Sequence, residues 1–475
     1  MPEARDTSTR SFPLDYMDRC CLAAMSETHG CSNSPTWELA VVGDLTPDVC
    51  RRAIAMLVRR HPTCASLVRP RENGEKPVRH RYEVQPDPQI DELFAYVDLR
   101  GEAPETLDKL RLDIRDRTLD PFERFPLHVT LAQTGDRAAI LFFQQHHALC
   151  DGRAFIKLLA DFVAFADHCG AGTPLPPDQL DEYPRRDELS ALEIGRARAL
   201  VWGVAGFFAW LRFAIRMRGA PLTRLLENGR DFRGRNGMLH LTLDKSCLAA
   251  WRPLRARAGV GLTAFLAAAL FVASRRVNVA NGVAPGRTRI SIVAETRPRH
   301  GRFASFANHL GGLMADCALD TEPDPVAITR AVHEQITAQV ATDTFKKRLV
   351  LERAITGGLP LATMRKALFE ADTLVGNLNL SNLISLRFDK LEASAFAVES
   401  IEITTPVIPP YGVMLTVIDY AGALRFNLNY KASIVSDVLA RALLDGFRAA
   451  LDDVAEALSR LPEPEAAPAP RGPSP

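Results

Sequence analysis

The alternation of hydrophobic and polar residues predicts a strand and then a helix near the start of the chain. Residues 37–42 alternate between large apolar side chains and smaller or polar ones, as in a half-buried strand. Thr46 then stands where an N-cap is expected, and Pro47 suits the first helical position. Arg60 suits the negative C-terminal end of a helix. We therefore predict a helix over residues 47–60.

Two apolar segments further along predict a β-hairpin followed by a second helix. Residues 127–131 and 139–143 flank a polar turn at 134–136. Over residues 155–165, apolar side chains recur at the three- and four-residue spacing of a helix. The intervening residues 144–152 therefore leave a strand and enter a helix.

The second half of the chain shows the same mixture of strand and helix patterns. The predicted elements are a strand at 239–243, a helix at 264–273 capped by Thr263, a strand at 289–295, a helix at 326–340, a hairpin at 413–419 and 424–430, and a final helix from Ser436. Both halves thus contain strands and helices, and we predict an α/β fold with mixed sheets.

Glycine and proline residues concentrate between positions 170 and 186, where they cannot continue a helix. We place a domain boundary in this region. The predicted division is an N-terminal lobe at 1–175, a linker with an apolar helix at 176–236, a C-terminal lobe at 237–460 and a disordered, proline- and alanine-rich tail at 461–475.

The apolar run at 199–211 is shorter than the roughly 20 residues that a membrane-spanning helix needs. Its basic flanks are Arg196, Arg198, Arg212, Arg216 and Arg218. Basic ends beside aromatic residues are typical of a helix at a membrane interface. Apolar segments of this length more often pack on the protein itself or on a partner. Peripheral membrane contact through 199–218 is therefore one of two open interpretations.

Composition adds limits on partners and compartment. The chain has 475 residues, 47% hydrophobic and 24% charged, which suffices for two or three domains with sizeable cores. A formal charge of +1 indicates no overall attraction to nucleic acid. The 9 cysteines lack zinc-site spacing and fit reduced thiols, and residues 1–10 lack the apolar core of an export signal. We expect a cytoplasmic protein with no metal and no nucleic-acid partner.

Residues 146–152 place two histidines, an acid and a glycine between the predicted strand and helix. A positioned histidine can take a proton from a hydroxyl or an amine that attacks a carbonyl, which is worth roughly a hundred- to ten-thousand-fold in rate. Asp151 could orient the loop by pairing with an arginine, or could be only an N-cap. Gly152 could allow a close backbone approach, or be only a turn residue. The full combination is more specific than any of its members.

With His146, His147, Asp151 and Gly152, the chain resembles the HHxxxDG family of thioester-dependent acyltransferases. That family includes chloramphenicol acetyltransferase, the condensation domains of nonribosomal peptide synthetases, plant and polyketide-associated acyltransferases and bacterial wax ester synthases. Looser similarity extends to residues 57–62, 119–127 and 375–383. The resemblance implies two chloramphenicol acetyltransferase-like lobes, an active-site tunnel between them, His147 as general base and direct transfer without an acyl-enzyme.

The same resemblance implies the substrates and partners. The co-substrate would be acyl-CoA or a phosphopantetheine-linked acyl thioester, with no permanently bound cofactor. The acceptor would be an alcohol or an amine, and an acyl carrier protein is a candidate partner.

The chain departs from the family near the first helix. Condensation domains usually carry an arginine shortly after the Arg-His pair, whereas residues 63–66 contain none. We take Arg297, at the end of a predicted strand, as the candidate partner of Asp151. Asn382 is either a donor to the oxyanion that forms on the attacked thioester or a turn former. Cys150 is a poor candidate nucleophile, because its basic neighbours already serve direct proton transfer.

Motifs of other enzyme classes are missing: the sequence has no GxSxG, GxxxxGK[ST], GxGxxG or HExxH. We therefore predict an acyltransferase that moves an acyl group from a thioester to a hydroxyl and makes an ester. The alternatives are an amide-forming, condensation-domain-like enzyme, and a non-catalytic module of the same fold that binds carrier proteins or lipids.

Overall fold

The structure is a computed structural model of the chain. It describes residues 10–463 except 26–31, 72–78, 176–178, 180, 218–221, 230, 233, 299–302, 320, 322–323, 371–375 and 387–389. The predicted tail at 461–475, apart from its first three residues, lies outside the described residues.

The strands of the described residues form three sheets. They are β1 (Ser11–Pro13), β2 (Thr36–Gly43), β3 (Ser66–Arg71), β4 (Arg79–Val84), β5 (Phe94–Asp98), β6 (Leu127–Gly135), β7 (Ala138–Gln145), β8 (Asn236–Asp244), β9 (Arg287–Glu295), β10 (Leu310–Ala318), β11 (Leu378–Asn382), β12 (Phe396–Thr404), β13 (Val413–Tyr420) and β14 (Ala423–Lys431). The strand orders are β1-β4-β3, β12-β2-β7-β6-β5 and β10-β9-β11-β13-β14-β8.

The helices lie between and after these strands. They are α1 (Tyr16–Ala24), α2 (Pro47–Arg60), α3 (Pro104–Asp116), α4 (Gly152–Ala171), α5 (Glu188–Ala191), α6 (Arg196–Met217), α7 (Ser246–Ala258), α8 (Leu262–Ala280), α9 (Pro325–Ala341), α10 (Thr344–Thr356), α11 (Leu361–Arg365) and α12 (Asp437–Ser459). The mixture of helices and mixed sheets confirms the predicted fold class.

The five-stranded sheet and helices α2 and α4 form the N-terminal core. Thr46 caps α2 as predicted, since its Oγ1 accepts a hydrogen bond from the Val49 N–H. The rings of Trp37 on β2 and Phe155 on α4 lie 5.1 Å apart, so the helix that follows the motif is anchored on the sheet. This packing holds the start of α4, where the motif ends, in a fixed position.

The six-stranded sheet and helices α8 and α12 form the C-terminal core. Strand β11 runs parallel to both of its neighbours, β9 and β13, so its end lies at the same sheet edge as theirs. Within the described residues, Leu262–Ala280 is the one helix with the length and composition to cross a bilayer, and 72% of that stretch is buried. Its contacts show that it is the central helix of this core.

One strand from the second half of the chain completes the sheet of the first half. β12 pairs antiparallel with β2, and Ile401 is opposite Leu39. The two halves therefore share a sheet and cannot separate without breaking that pairing. The division into 1–175, 176–236 and 237–460 stays a prediction. It did not include the pairing of β12, a strand from the second half of the chain, with the sheet of the first half.

The predicted cap of α8 was wrong. The helix begins at Leu262 with Gly261 at the N-cap, which puts Thr263 inside its first turn. The Thr263 hydroxyl instead accepts a hydrogen bond from Asn382 Nδ2 at 3.1 Å. A tertiary partner has thus replaced the local capping bond that the sequence suggested.

Candidate functional site

The loop between β7 and α4 carries the motif and is held by backbone hydrogen bonds at its start. The His146 N–H donates to the Pro126 carbonyl at 2.7 Å, and the His147 N–H donates to the Asn33 carbonyl at 2.8 Å. Both acceptors lie outside the loop. The backbone of the histidine pair therefore has a position set by neighbouring segments.

His146 is the buried member of the pair. Its side chain is fully enclosed, and its Nδ1 accepts a hydrogen bond from the Ala148 N–H at 3.1 Å. Nδ1 is therefore the unprotonated nitrogen of a neutral ring. Burial, together with the neighbouring His147, lowers the pKa of His146 to about 3. The ring of His146 therefore holds the loop, and its assignment as a catalytic residue stays a prediction.

His147 is the partly exposed member of the pair. Its Nδ1 is buried without a hydrogen-bond partner among the described residues, so Nε2 is the ring nitrogen left for a substrate to approach. Burial lowers the pKa of His147, and its own backbone carbonyl, the Asp151 carboxylate and the Asn308 side chain act in the opposite direction. The ring is therefore neutral at physiological pH and can accept a proton.

The Asp151 carboxylate lies inside the protein and is fully occupied by donors. It caps α4 by accepting from the Ala154 N–H at 3.0 Å, and it accepts from the His309 N–H at 2.8 Å. Arg297 Nη1 lies 2.7 Å from Asp151 Oδ2. Burial acts to raise the pKa of Asp151, but the Arg297 charge and the three donors hold it below its ordinary value. Asp151 is therefore a carboxylate that fixes the loop, and it presents no free oxygen to a substrate.

Arg297 joins the second half of the chain to this loop. Its Nη2 donates to the carbonyls of Ser305 and Ala307, both at 3.2 Å, while Nη1 also contacts Glu295 at 3.0 Å. The structure thus pairs Asp151 with the arginine that the sequence analysis chose. What this pair contributes to a reaction stays a prediction.

Asn308 and Asp18 also hold the histidine loop, and the sequence analysis missed both. Asn308 Nδ2 donates to the carbonyls of His147 at 2.9 Å and Ala148 at 3.1 Å, and it contacts Asp18 Oδ1 at 3.0 Å. Asp18 in turn forms a buried ion pair with Arg185. These side chains lie on three separate segments, so the loop is the point at which those segments meet.

Arg185 and Tyr82 complete the same network. Arg185 Nη1 donates to the Leu149 carbonyl at 3.1 Å and to the Phe306 carbonyl at 2.8 Å. The Tyr82 hydroxyl donates to the Ala148 carbonyl at 2.5 Å. The three consecutive carbonyls of residues 147–149 therefore all have side-chain donors.

No short motif could have revealed this network. Asp18 and Asn308, for example, are 290 positions apart, and neither belongs to a recognisable pattern. Arg185 lies in the proline-bearing segment that the sequence analysis took for a linker. Only a long-range contact shows that this segment takes part in the site.

Gly152 occupies an ordinary helical position, and Asn382 fits the turn-forming role that was one of its two predicted alternatives. Gly152 is the first residue of α4 and has no positive φ, and a Cβ there would meet Leu383 Cδ2 at an ordinary 3.6 Å. The loop therefore does not need glycine for its backbone shape. Asn382 donates to Thr263 and accepts from the Ile384 N–H at 3.1 Å, so its amide has structural partners, and oxyanion binding stays a prediction.

Cys150 is buried and has a protonated thiol. Its Sγ donates to Gln145 Oε1 at 3.2 Å. Burial, and then the Asp151 charge, raise the pKa of Cys150 well above its ordinary value. Because only a thiolate is a good nucleophile, this geometry agrees with the view that Cys150 does not form an acyl-enzyme.

Among the cavities of the described residues, four have volumes of about 500 to 690 Å³, and His147 lines none of these four. The 690 Å³ cavity is bordered by Asp15 and Arg19 on one side and Arg353 on the other. It therefore lies beside α1, the helix that also supplies Asp18 to the loop. The tunnel expected at His147 stays a prediction.

Comparison with known proteins gives matches by fold only. No protein-family model and no curated protein sequence matches the chain. The first condensation domain of the calcium-dependent antibiotic synthetase matches with a TM-score of 0.72 and 15% identity, over 96% of this chain and 97% of that one. The condensation domain of the Monacolin K polyketide synthase MokA matches with a TM-score of 0.68 and 12% identity, over 94% and 98%.

A third solved structure, the SgcC5 protein from Streptomyces globisporus, matches with a TM-score of 0.64 and 16% identity, over 95% of this chain and 99% of that one. All three similarities extend over nearly the whole length of both chains. The chain therefore has the two-lobed fold of these condensation domains, as its HHxxxDG residues led us to expect.

Proposed function

We propose that the protein is an acyltransferase that moves an acyl group from a thioester to a hydroxyl and so forms an ester. The observation that carries this proposal is the contrast within the histidine pair. His146 is enclosed and bonded to the backbone, whereas His147 is partly exposed and lies on a loop that its neighbours hold in place, with Nε2 as the nitrogen left for a substrate. An accessible neutral imidazole on a rigid loop is what a general base requires.

The proposed reaction is a direct transfer. His147 Nε2 takes the proton of the acceptor hydroxyl while the hydroxyl oxygen attacks the thioester carbonyl carbon. A new C–O bond forms, the C–S bond breaks, and the departing thiolate takes the proton back from the imidazolium. The products are an ester and a free thiol, so no acyl-enzyme and no redox partner are needed.

The Asp151–Arg297 pair has a positioning role in this proposal. Asp151 caps the helix that begins directly after the motif, and Arg297 fixes the carboxylate from the other half of the chain. A displacement of the base by about 1 Å costs roughly a hundredfold in rate. We expect these two residues to affect the rate through the position of His147.

The nature of the acceptor is suggested by one similar structure. The SgcC5 protein was determined as a complex with (R)-(-)-1-(2-naphthyl)-1,2-ethanediol, which carries hydroxyl groups. This supports a hydroxyl acceptor over an amine. The donor in this proposal is acyl-CoA or an acyl group on the phosphopantetheine of a carrier protein. The similar condensation domains belong to a synthetase and a polyketide synthase, which favours a carrier protein as partner.

Thiol release from acyl thioesters tests the proposal. The purified chain is incubated with acyl-CoA and acyl-phosphopantetheine donors and a panel of alcohols and amines, and products are identified by mass spectrometry. We expect ester formation that His147→Ala reduces at least about a hundredfold. His240→Ala is the matched control, since His240 lies exposed on β8.

Three outcomes would contradict the proposal in different ways. Equal activity of His147→Ala and the unchanged chain would remove the general base. Amide products without ester would identify the amine as the acceptor. Saturable binding of acyl thioesters without any thiol release would favour a non-catalytic binding module.

A further inference from the structure

Helix α6 projects most of its apolar surface into solvent. It is 22 residues long, which corresponds to about 33 Å. Leu200, Val204, Phe208 and Ile215 retain between 52% and 73% of their exposure. Large apolar side chains that are exposed together, rather than singly, mark a surface that binds something.

The helix touches the rest of the protein along a narrow strip. Trp202 is buried against Val350, and Gly206 lies so close to α10 that a Cβ there would be 2.7 Å from the Lys347 carbonyl oxygen. At about 100° per residue, these contacts lie on the side of the helix opposite to Val204. The strip is enough to fix the helix, and the other side has no partner among the described residues.

The exposed apolar residues form one continuous face. At about 100° per residue they fall within an arc of about 120°. They are Leu200, Val201, Val204, Phe207, Phe208, Leu211 and Ile215, each at least 38% exposed. Within this face the rings of Phe207 and Phe208 lie 5.8 Å apart. Polar residues do not interrupt this face.

The charges on helix α6 itself are all positive. Between Ile194 and Leu226 the sequence has six arginines and no aspartate or glutamate. Arg196, Arg198 and Arg212 are exposed, and on the helix Arg196 and Arg212 lie at the two edges of the apolar arc, whereas Arg198 packs over the Trp202 ring. The net charge of the whole chain is only +1, so this concentration is local.

We propose that the apolar face of α6, with its flanking arginines, docks the protein on the surface of a bilayer that contains anionic lipid. The apolar face would enter the region between headgroups and acyl chains, and the arginines would contact lipid phosphates. The helix lies in the plane of the bilayer and does not span it. Docking goes beyond the proposed reaction and does not depend on it.

Charge favours a bilayer over a second copy of this chain. A symmetric contact through α6 would bring Arg196 and Arg212 of both copies together, and like charges across an interface repel. An anionic bilayer supplies both the apolar layer and the opposite charge. The surface of α6 is therefore complementary to an anionic bilayer and not to a second copy of itself.

Flotation of the full chain with vesicles tests the proposal. We expect the protein to float with vesicles of phosphatidylcholine and phosphatidylglycerol and to bind phosphatidylcholine vesicles more weakly. Val204→Glu/Phe208→Glu should weaken binding at least about tenfold. Arg196→Gln/Arg212→Gln should weaken binding to the anionic vesicles by about fivefold for each arginine. Both pairs change exposed side chains, so the melting temperature serves as a check on folding.

Val438→Glu is the matched control, since Val438 is 81% exposed on a different helix, α12. It should float as the unchanged chain does. The proposal is overturned if the unchanged chain stays in solution with both vesicle types, or if Val204→Glu/Phe208→Glu floats equally well. A dimer in solution that Val204→Glu/Phe208→Glu converts to a monomer, without vesicle binding, would identify a second copy as the occupant. Each of these results is independent of acyl-transfer activity.

Discussion

Arg297 Nη1 lies 2.7 Å from Asp151 Oδ2, and the two residues are 146 positions apart in the chain. The pair is almost completely enclosed, with side-chain exposures of 5% and 1%. It connects the end of β9 in the second half of the chain to the N-terminus of α4 in the first. The position of the histidine loop therefore depends on contacts that neither half can make alone.

Removal of Arg297 should destabilise the protein strongly. In Arg297→Ala the Asp151 carboxylate stays buried without its counter-charge, which typically costs about 3–5 kcal/mol of the free energy of unfolding. Arg153→Ala is the control, because Arg153 is half exposed in its pair with Glu295 and should cost less than about 1 kcal/mol. Urea denaturation of both variants measures the difference. Equal losses of the free energy of unfolding in the two variants would mean that the buried Arg297–Asp151 pair stabilises the protein no more than the half-exposed Arg153–Glu295 pair.

Three buried histidines should make the protein less stable in acid. Burial lowers the pKa of His146 to about 3 and those of His128 and His309 to about 4, whereas unfolded histidine titrates near 6.5. Between pH 6.5 and 4 these three side chains therefore bind more protons in the unfolded chain than in the folded one. Their contribution to the free energy of unfolding should fall with decreasing pH, by about 1.4 kcal/mol per pH unit for each such histidine, whereas Asp15, whose pKa burial raises to about 7, contributes with the opposite sign.

Variants at two of these histidines test whether their titration causes the acid sensitivity. His128→Asn and His146→Asn should each make the slope of stability against pH shallower between pH 6.5 and 4. His128 lies outside the motif, so its variant separates the titration from any effect on the site. An unchanged slope in both variants would assign the acid sensitivity to other groups.

The rate of the proposed reaction should stay constant to a lower pH than a free histidine would allow. Burial lowers the pKa of His147, so the ring remains an unprotonated base below pH 6.5. A plot of kcat/KM against pH should be level at neutral pH. It should decrease only when the pH falls below about 6.5, the pKa of a free histidine. A decrease that begins above pH 7 would contradict the assignment of His147 as the base.

Removal of the Asn308 side chain should destabilise the protein, although Asn308 is far from the motif in the sequence. In Asn308→Ala the carbonyl of His147 loses its side-chain donor and that of Ala148 loses one of two. Buried acceptors without partners cost about 1–3 kcal/mol each. Asn281→Ala is the control, because Asn281 bonds only to the Val277 carbonyl at the end of α8. We expect thermal unfolding to show a clear loss for the first variant and a small one for the second.

Strand β12 comes from the second half of the chain and pairs in the sheet of the first half. This pairing should make the two halves unfold together. Ile401 on β12 is fully buried in the N-terminal core, and Ile401→Ala should cost about 2–5 kcal/mol. Glu399→Ala, on the exposed side of the same strand, should change stability by less than about 0.5 kcal/mol. Fluorescence and circular dichroism should report one coincident transition. Two transitions, of which only one moves in Ile401→Ala, would show that the halves are independent.

Two glycines of α6 offer a matched pair of substitutions. A Cβ at Gly206 would lie 2.7 Å from the Lys347 carbonyl oxygen, whereas a Cβ at Gly203 would meet no atom within 4 Å. Gly206→Ala should therefore push α6 away from α10 and destabilise the protein. Gly203→Ala should stabilise the helix by up to about 1 kcal/mol. Thermal unfolding compares them, and equal effects would mean that the two helices are not closely packed.

The sequence determined the local elements and the identity of the motif. The helix at 47–60, the hairpin before the motif and the final helix from Ser436 were all predicted, because capping residues and hydrophobic periodicity act over a few positions. Thr263 shows where this reasoning ends. Its hydroxyl could cap a helix locally, but a contact with Asn382, 119 positions away, decided its role.

Only the tertiary structure decided what surrounds the two histidines. His146 and His147 are adjacent in sequence and identical in chemistry, but His146 is fully enclosed and His147 is partly exposed. Asp18 and Asn308 approach the loop from segments hundreds of positions apart, and β12 joins a sheet built from the other half of the chain. Burial and long-range pairing depend on how the whole chain packs, and no pattern within a short stretch of residues encodes them.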